Sequence, residues 1–458
     1  MAAEQSSMID PVSCRTADSA VPAYPAPAVG WLAVVVLSML YILSMLDRNI
    51  ITLLADSIRS DLQISDFQLS FLYGIAFALF YCTAALPLGW AIDRYRRRKV
   101  IYWCVTGWSV ATTCCGLATN FPALFTARAG VGAGEAVLVP GSNSILSDLF
   151  PPSRLALPLS VYAVGAKVGQ SLSLLIGGAL TSVIVPASVY ALPLLGTLLK
   201  GWQLVFLIIG LPGFLLAFLI FVFPEPRRRF QVADATQSRG YGYYISFMRQ
   251  HRRLFIAHHL GYLLFLAVSV ALTSWSPAFL QRVYGMSTAE VGVQLGAALL
   301  IGSLIGMPLH GMIVDRNYGR GKPNAHLRHM ITMAILGTPL GVAAFVAPNP
   351  TLSIVLIGLF MCVISAYSSV PMVVLQLFVP GDMRGKAAST LLLINGIAGI
   401  SLGPMAVAAL TDFVFRDPTK VGWGIAICTA VFLPAAAIAF AVAAAPLRGV
   451  LREASARA

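Results

Sequence analysis

Five ionisable side chains lie inside long apolar stretches: Asp47, Arg48, Arg128, Glu135 and Lys167. At the centre of a helix in a bilayer each would cost roughly 2.5–3.5 kcal/mol on insertion scales. Such residues must pair, face a wet cavity, or do both. Their chemistry is proton transfer and anion binding. Asp47 and Glu135 are the candidates for proton coupling, because a carboxyl exchanges its proton according to burial and neighbouring cations. Arg48, Arg128 and Lys167 are candidates for substrate contact or charge relay. The alternative is that these residues only fasten helices as permanent ion pairs. Adjacent helical residues point about 100° apart, so Asp47 and Arg48 need not face each other. Arg128 and Glu135 share a face about 10 Å apart, too far to pair directly, so each needs partners on other helices.

The elements that hold these residues follow from composition. Of the 458 residues, 58% are apolar and only 11% charged, against a globular norm of about 25% charged. Only a bilayer accommodates that surface, which excludes a soluble enzyme, a nucleic-acid-binding domain and a disordered chain. Twelve apolar runs are long enough to span: 30–56, 67–92, 98–118, 122–147, 154–187, 203–223, 253–281, 288–313, 328–347, 351–378, 385–412 and 421–446. The fifth is expected to break or tilt near Pro186. Lys and Arg fall overwhelmingly in the even-numbered loops and the tails, with five on the other side. That bias puts both termini in the cytosol and accounts for the net charge of +13 without nucleic acid. Residues 1–29 read as a flexible cytosolic tail, without the pattern of a cleavable signal peptide. The seven cysteines form no CxxC or Cys/His cluster and read as reduced core residues. No catalytic constellation, metal-ligand spacing or cofactor motif is present in the sequence.

Gly89-Trp90-Ala91-Ile92-Asp93-Arg94 follows the second span, and Gly311-Met312-Ile313-Val314-Asp315-Arg316 follows the eighth. The two copies lie about half a chain apart, and the longest polar stretch, 224–252, falls between spans six and seven. The expected fold is therefore an all-α membrane protein of twelve transmembrane helices in two pseudo-symmetric six-helix bundles, 30–223 and 253–446. A cytosolic linker (224–252) joins them, and a cytosolic tail (447–458) follows. All five ionisable mid-span residues belong to the first half. The second half offers Tyr262, Phe265, Trp275, Met361 and Tyr367 as an apolar cavity wall. A charged wall facing an apolar one suits an amphiphile with an anionic head. The glycines Gly130, Gly132, Gly134, Gly165 and Gly169 read as small-residue stripes at helix contacts.

On these residues the chain resembles the major facilitator superfamily. The carriers are Gly89-x-x-x-Asp93-Arg94-x-x-Arg97-Arg98, Arg128-x-x-x-Gly132-x-Gly134 and Pro224-Glu225-Pro226-Arg227. Arg96 departs from the usual loop signature, where a Gly is common. Leu46-Asp47-Arg48, Gly132-Ala133-Gly134-Glu135-Ala136 and Ser147-Asp148-Leu149-Phe150-Pro151 add a resemblance to its spinster-like branch. An Asp-Arg pair in the first helix also occurs in the superfamily's organic-anion symporters. The resemblance implies alternating access, proton coupling and export of a lysophospholipid or sphingosine-phosphate-like lipid. A small-organic-anion or sugar-acid symporter, a multidrug–proton antiporter and a lipid-sensing receptor are the rivals. It further implies gating roles for Gly89, Asp93, Arg94 and Arg97, with Asp93 meeting the eleventh helix in the outward-open state, and for Asp315 and Arg316 in the second half. A monomer in a bacterial inner membrane is expected.

Overall fold

The computed structural model describes residues 24–457 other than 152–153, 193–196, 229–240, 323, 369 and 381–382. Most of the tail expected at 1–29, with Cys14, and most of the linker therefore lie outside the described residues. The first half runs through α1 (Pro27–Leu53), α2 (Ala55–Leu62), α3 (Asp66–Tyr73), α4 (Ile75–Arg94) and α5 (Arg97–Cys115). It continues with α6 (Phe121–Glu135), α7 (Leu138–Leu149), α8 (Ala156–Val183) and α9 (Gly201–Leu216), which ends in a 3-10 turn at Ala217–Phe221. After the short α10 (Tyr241–Gln250) come α11 (Arg252–Tyr284), α12 (Thr288–Gly319) and α13 (Ala325–Phe345). The chain then enters α14 (Pro350–Ile364), α15 (Val370–Phe378), α16 (Arg384–Ile394), α17 (Ile400–Ala409) and α18 (Val421–Arg457).

Among the described residues helices occupy all twelve expected intervals, and ten are long and apolar enough to cross a membrane. The other two are the third, where α5 is short and opens on Arg97-Arg98-Lys99, and the fourth, where α6 and α7 are separated at Ala136–Val137. Three boundaries differ from expectation. The helix of the fifth span stops at Val183, and an antiparallel hairpin, β1 (Val189–Leu192) on β2 (Thr197–Lys200), joins it to the sixth. The first helix begins at Pro27, inside the expected tail, because proline suits a first helical turn. The tail expected at 447–458 continues α18 to Arg457.

The repeat reappears in how the helices start. Ser65 and Ser287 open the second and eighth spans with capping boxes to Gln68 and Glu290. Asn120 and Asn349 cap the fourth and tenth, each followed within two residues by proline. Packing repeats as well. Spans two and four, three and four, and three and six pair in the first half (α4–α6, α5–α6, α5–α9). Their counterparts pair in the second (α12–α14, α13–α14, α13–α18). Between halves, α8 packs on α12 and α3 on α17. Small residues permit the first contact: a Cβ on Gly292 would stand 2.5 Å from Gly178 Cα.

Candidate functional site

Span one carries Ser44 and Arg48 four residues apart, hence on one helical face, and both reach the end of α6. Ser44 Oγ donates to Glu135 Oε2 at 2.7 Å. Arg48 donates to the same oxygen through Nη2 at 2.7 Å and Nε at 3.2 Å. The Arg48 guanidinium also lies 4.1 Å from the Phe77 ring centroid and 5.2 Å from that of Tyr81, within cation–π range. Glu135 Oε1 is buried with no hydrogen-bond partner.

Asp47 points elsewhere. It is 1% exposed, and neither carboxyl oxygen has a hydrogen-bond partner. Thr112 and Trp108 of α5 stand beside it, and Thr112 Oγ1 and Trp108 Nε1 also lack partners. Arg128, nearly two turns before Glu135 on α6, does not pair with the Asp47 carboxyl. It donates to the backbone carbonyls of Asp47 and Arg48, both at 3.0 Å. Span one's backbone thus holds one arginine while its side chains engage the glutamate. The glycines of α6 let it pack closely on α4 and α5: a Cβ on Gly132 would meet the Phe77 carbonyl at 2.5 Å, and one on Gly134 the Trp108 Cβ at 2.8 Å. Close packing explains them fully, and Gly169 against Ile42 and Met45 does the same for α8 on α1.

Lys167 faces the other half. Its Nζ donates to Tyr367 Oη at 2.7 Å. Tyr41, stacked on Tyr162 at 4.8 Å, has Arg48, Glu135, Lys167 and Tyr367 as electrostatic neighbours. The expected apolar wall needs correction. Tyr262 and Tyr367 are half-buried, but Phe265, Trp275 and Met361 are fully buried in side-chain packing and line no accessible space. Trp275 donates to the Pro404 carbonyl at 3.0 Å and packs edge-on against Tyr73 across the halves.

The signature loops divide into two kinds. Asp93, Arg94, Asp315 and Arg316 are exposed, and among the described residues none makes a hydrogen bond or ion pair across to the other half. Gly89 faces open space. Arg97, expected at the gate, is buried and ties α5 to α7 and to the start of the linker. It binds Asp148 at 2.5 Å, the Ser144 carbonyl at 3.0 Å and the Pro226 carbonyl at 2.7 Å. Glu225 accepts the amides of Arg97 and Arg98, both at 3.1 Å, so it caps α5 where the residue before the helix supplies no side-chain cap.

At the opposite end the halves are tied by charges whose partnership the sequence does not reveal. Arg282 of α11 binds Asp66 through both terminal nitrogens at 2.6 and 2.8 Å and Asp56 through Nε at 2.7 Å. Arg59 stands 3.1 Å from Asp66, Gln281 donates to the Leu53 carbonyl, and Asp412 accepts the Phe67 amide at 2.6 Å. The one available signal was that three carboxylates, Asp56, Asp61 and Asp66, crowd the loop between the first two spans. A second unforeseen pair, His310 and His329, shares a hydrogen bond of 2.9 Å inside the second half.

The model of the Major Facilitator Superfamily matches residues 37–404. An MFS-type efflux pump of Mycolicibacterium smegmatis is 28% identical over 391 residues, covering 85% of this chain and 86% of that protein. A D-galactonate transporter of Escherichia coli is 24% identical over 415 residues, covering 86% of each. Among solved structures, a bacterial homolog of the human lysosomal transporter Spinster, inward-facing and unoccupied, superposes with a TM-score of 0.76 at 26% identity, covering 93% of this chain and 98% of that one.

Proposed function

The chain belongs to the major facilitator superfamily, and from that premise we propose that it is a proton-coupled secondary transporter of an amphiphilic anionic lipid, of lysophospholipid or sphingosine-phosphate type. That it is a multi-pass membrane transporter and not an enzyme follows from the family. The observation that carries the finer reading is the grouping of Asp47, Arg48, Arg128 and Glu135, with Lys167 turned toward Tyr367, in an otherwise apolar interior. Cations outnumber carboxyls there, which favours an anionic head. The likeness to the Spinster homolog supports a lipid as its bearer, and the efflux-pump relative supports export.

In this reading the proton binds at Asp47. A buried carboxylate with no cation paired to it is costly, and protonation removes the charge that makes it so. Glu135 is the contrasting case, since Arg48 and Ser44 already compensate its charge. Deprotonating Asp47 would draw Arg128 from the backbone carbonyls to the carboxylate, loosening α6 from α1. That rearrangement couples proton release to movement of span one. The closed end with Arg282 is the outer side and the Asp93 end the cytosolic side, in line with the Lys/Arg bias. In the outward-open state Asp93 meets the start of α16 and Asp315 the start of α8. The halves are 30–223 and 253–446, joined by 224–252, with both termini cytosolic and the protein a monomer.

A second reading, a small-organic-anion symporter, gains from the D-galactonate transporter relative and from the burial of Phe265, Trp275 and Met361, which narrows the apolar wall. The test is uptake into proteoliposomes under an imposed pH gradient, with radiolabelled lysophosphatidate or D-galactonate. Gradient-driven movement of the lipid, undisturbed by excess galactonate, supports the first reading. Movement of galactonate alone replaces it with the second.

A further inference from the structure

Three spans are interrupted around the charged interior. The fourth breaks at Ala136–Val137, directly after Glu135. The tenth leaves the α-helix for a 3-10 segment at Ser365–Ser368, which contains Tyr367. The eleventh has a π-helical stretch at Asn395–Gly399, where Asn395 is buried with an unpartnered side-chain oxygen and a Cβ on Gly396 would stand 2.8 Å from Cys82 Sγ. Irregular backbone at membrane depth is tolerated where it is packed in protein or lines a wet cavity. In transporters, substrate sites are typically built on interrupted helices, and π-segments are frequent at functional sites.

Lys167 points into this region, and its partner is unusual. An ammonium in an apolar interior is normally matched by an anion. Among the described residues no carboxylate lies in ion-pair range of Lys167, and its hydrogen bond goes to a phenol on the other half. The ammonium also stands 5.0 Å from the centroid of the Tyr367 ring. Tyr41 lies within the electrostatic reach of both this pair and the Arg48–Glu135 pair, so an anion at Lys167 would be felt on the charged wall of span one.

We propose that Lys167 anchors the anionic group of the substrate and that Tyr367 holds this position in its absence, the phenol oxygen standing where a carboxylate or phosphate oxygen binds. The inference rests on the anionic-substrate reading above and adds a competitor to it. An arriving anion replaces the Lys167–Tyr367 bond, frees Tyr367 and the interrupted tenth span, and so releases a contact between halves only when substrate is present.

The experiment measures binding of two probes, lysophosphatidate and D-galactonate, to the purified full-length protein by isothermal titration. Proteins compared are the wild type, Tyr367→Phe, Lys167→Met and the double variant. Whichever probe the wild type binds should bind Tyr367→Phe about tenfold more tightly, the effect of removing one competing hydrogen bond to a charged group. Lys167→Met should bind it at least tenfold more weakly, and adding Tyr367→Phe to it should change nothing further. Weaker or unchanged binding by Tyr367→Phe overturns the competition by Tyr367, and unaffected binding by Lys167→Met overturns the anchor; either result leaves the anionic-substrate reading intact. A wild type that binds neither anion overturns both the inference and that reading. Phe at 367 keeps the ring and its packing, so an unfolded variant does not obscure the result; elution at the wild-type volume confirms this.

Discussion

Replacing Arg282 with Gln should drive the transporter toward the state open at the Asp56–Asp66 end. Arg282 is 7% exposed on its side chain and joins the fully buried Asp66 to Asp56, binding the first at 2.6 Å and the second at 2.6 Å. Both carboxylates belong to the first half, and the arginine belongs to the second. Removing one partner of a buried pair costs about 3–5 kcal/mol. Two observations reduce that figure here: Asp56 is about one-third exposed, and Arg59 still stands 3.1 Å from Asp66. A loss of about 2–3 kcal/mol is the appropriate expectation, and it falls on the closed state alone, since the pairs cannot survive separation of the halves. At about 1.4 kcal/mol per factor of ten, the equilibrium moves by about 30- to 140-fold. Ser60 and Thr419 are exposed, lie on opposite halves and line one cavity beside these pairs. Spin labels there, in a cysteine-free background, report the separation directly by double electron–electron resonance. Arg282→Gln should shift the main population to a longer distance, and Arg282→Lys, which keeps the charge but not the fork, should fall between. An unchanged distance distribution in Arg282→Gln would refute the reasoning.

Other outcomes follow from the same structure. Arg97→Ala should lower thermal stability in detergent, because it leaves Asp148 and Glu225 without their buried cation; the cost is about 3 kcal/mol, and a melting curve equal to wild type would contradict it. Gly132→Val should disrupt the packing of α6 on α4, since even its Cβ meets the Phe77 carbonyl; it is expected to give aggregated protein on size exclusion, whereas Gly89→Ala, facing open space, should elute normally. Asp93→Asn should shift the population toward inward-open, and unchanged labelling of cytosol-facing cysteines would oppose that assignment.

What could be read in the sequence divides along physical lines. The five mid-span ionisable residues stood out because apolar surroundings make any charge conspicuous. Which of them meet could not be read, since pairing depends on the rotation of α1 against α6; the Ser44–Arg48 spacing was the available clue to Glu135. Apolar side chains gave no such signal: Phe265, Trp275 and Met361 are packed, Tyr262 and Tyr367 half-exposed, and in a membrane helix the residue type is the same for both. Arg282 counted only as a loop charge, because its partners Asp56 and Asp66 are separated from it by most of the first half and the linker. The hairpin at 189–200 was hidden in a stretch as apolar as the spans around it.

In the proposed cycle Asp47 couples substrate to protons. The most direct measurement of that coupling is proton movement accompanying substrate flux in proteoliposomes, followed with a trapped pH dye for the wild type, Asp47→Asn and Glu135→Gln. The account predicts substrate-dependent proton movement in the wild type and its loss in Asp47→Asn, with substrate exchange at zero gradient retained. Proton movement that persists in Asp47→Asn and disappears in Glu135→Gln would contradict it.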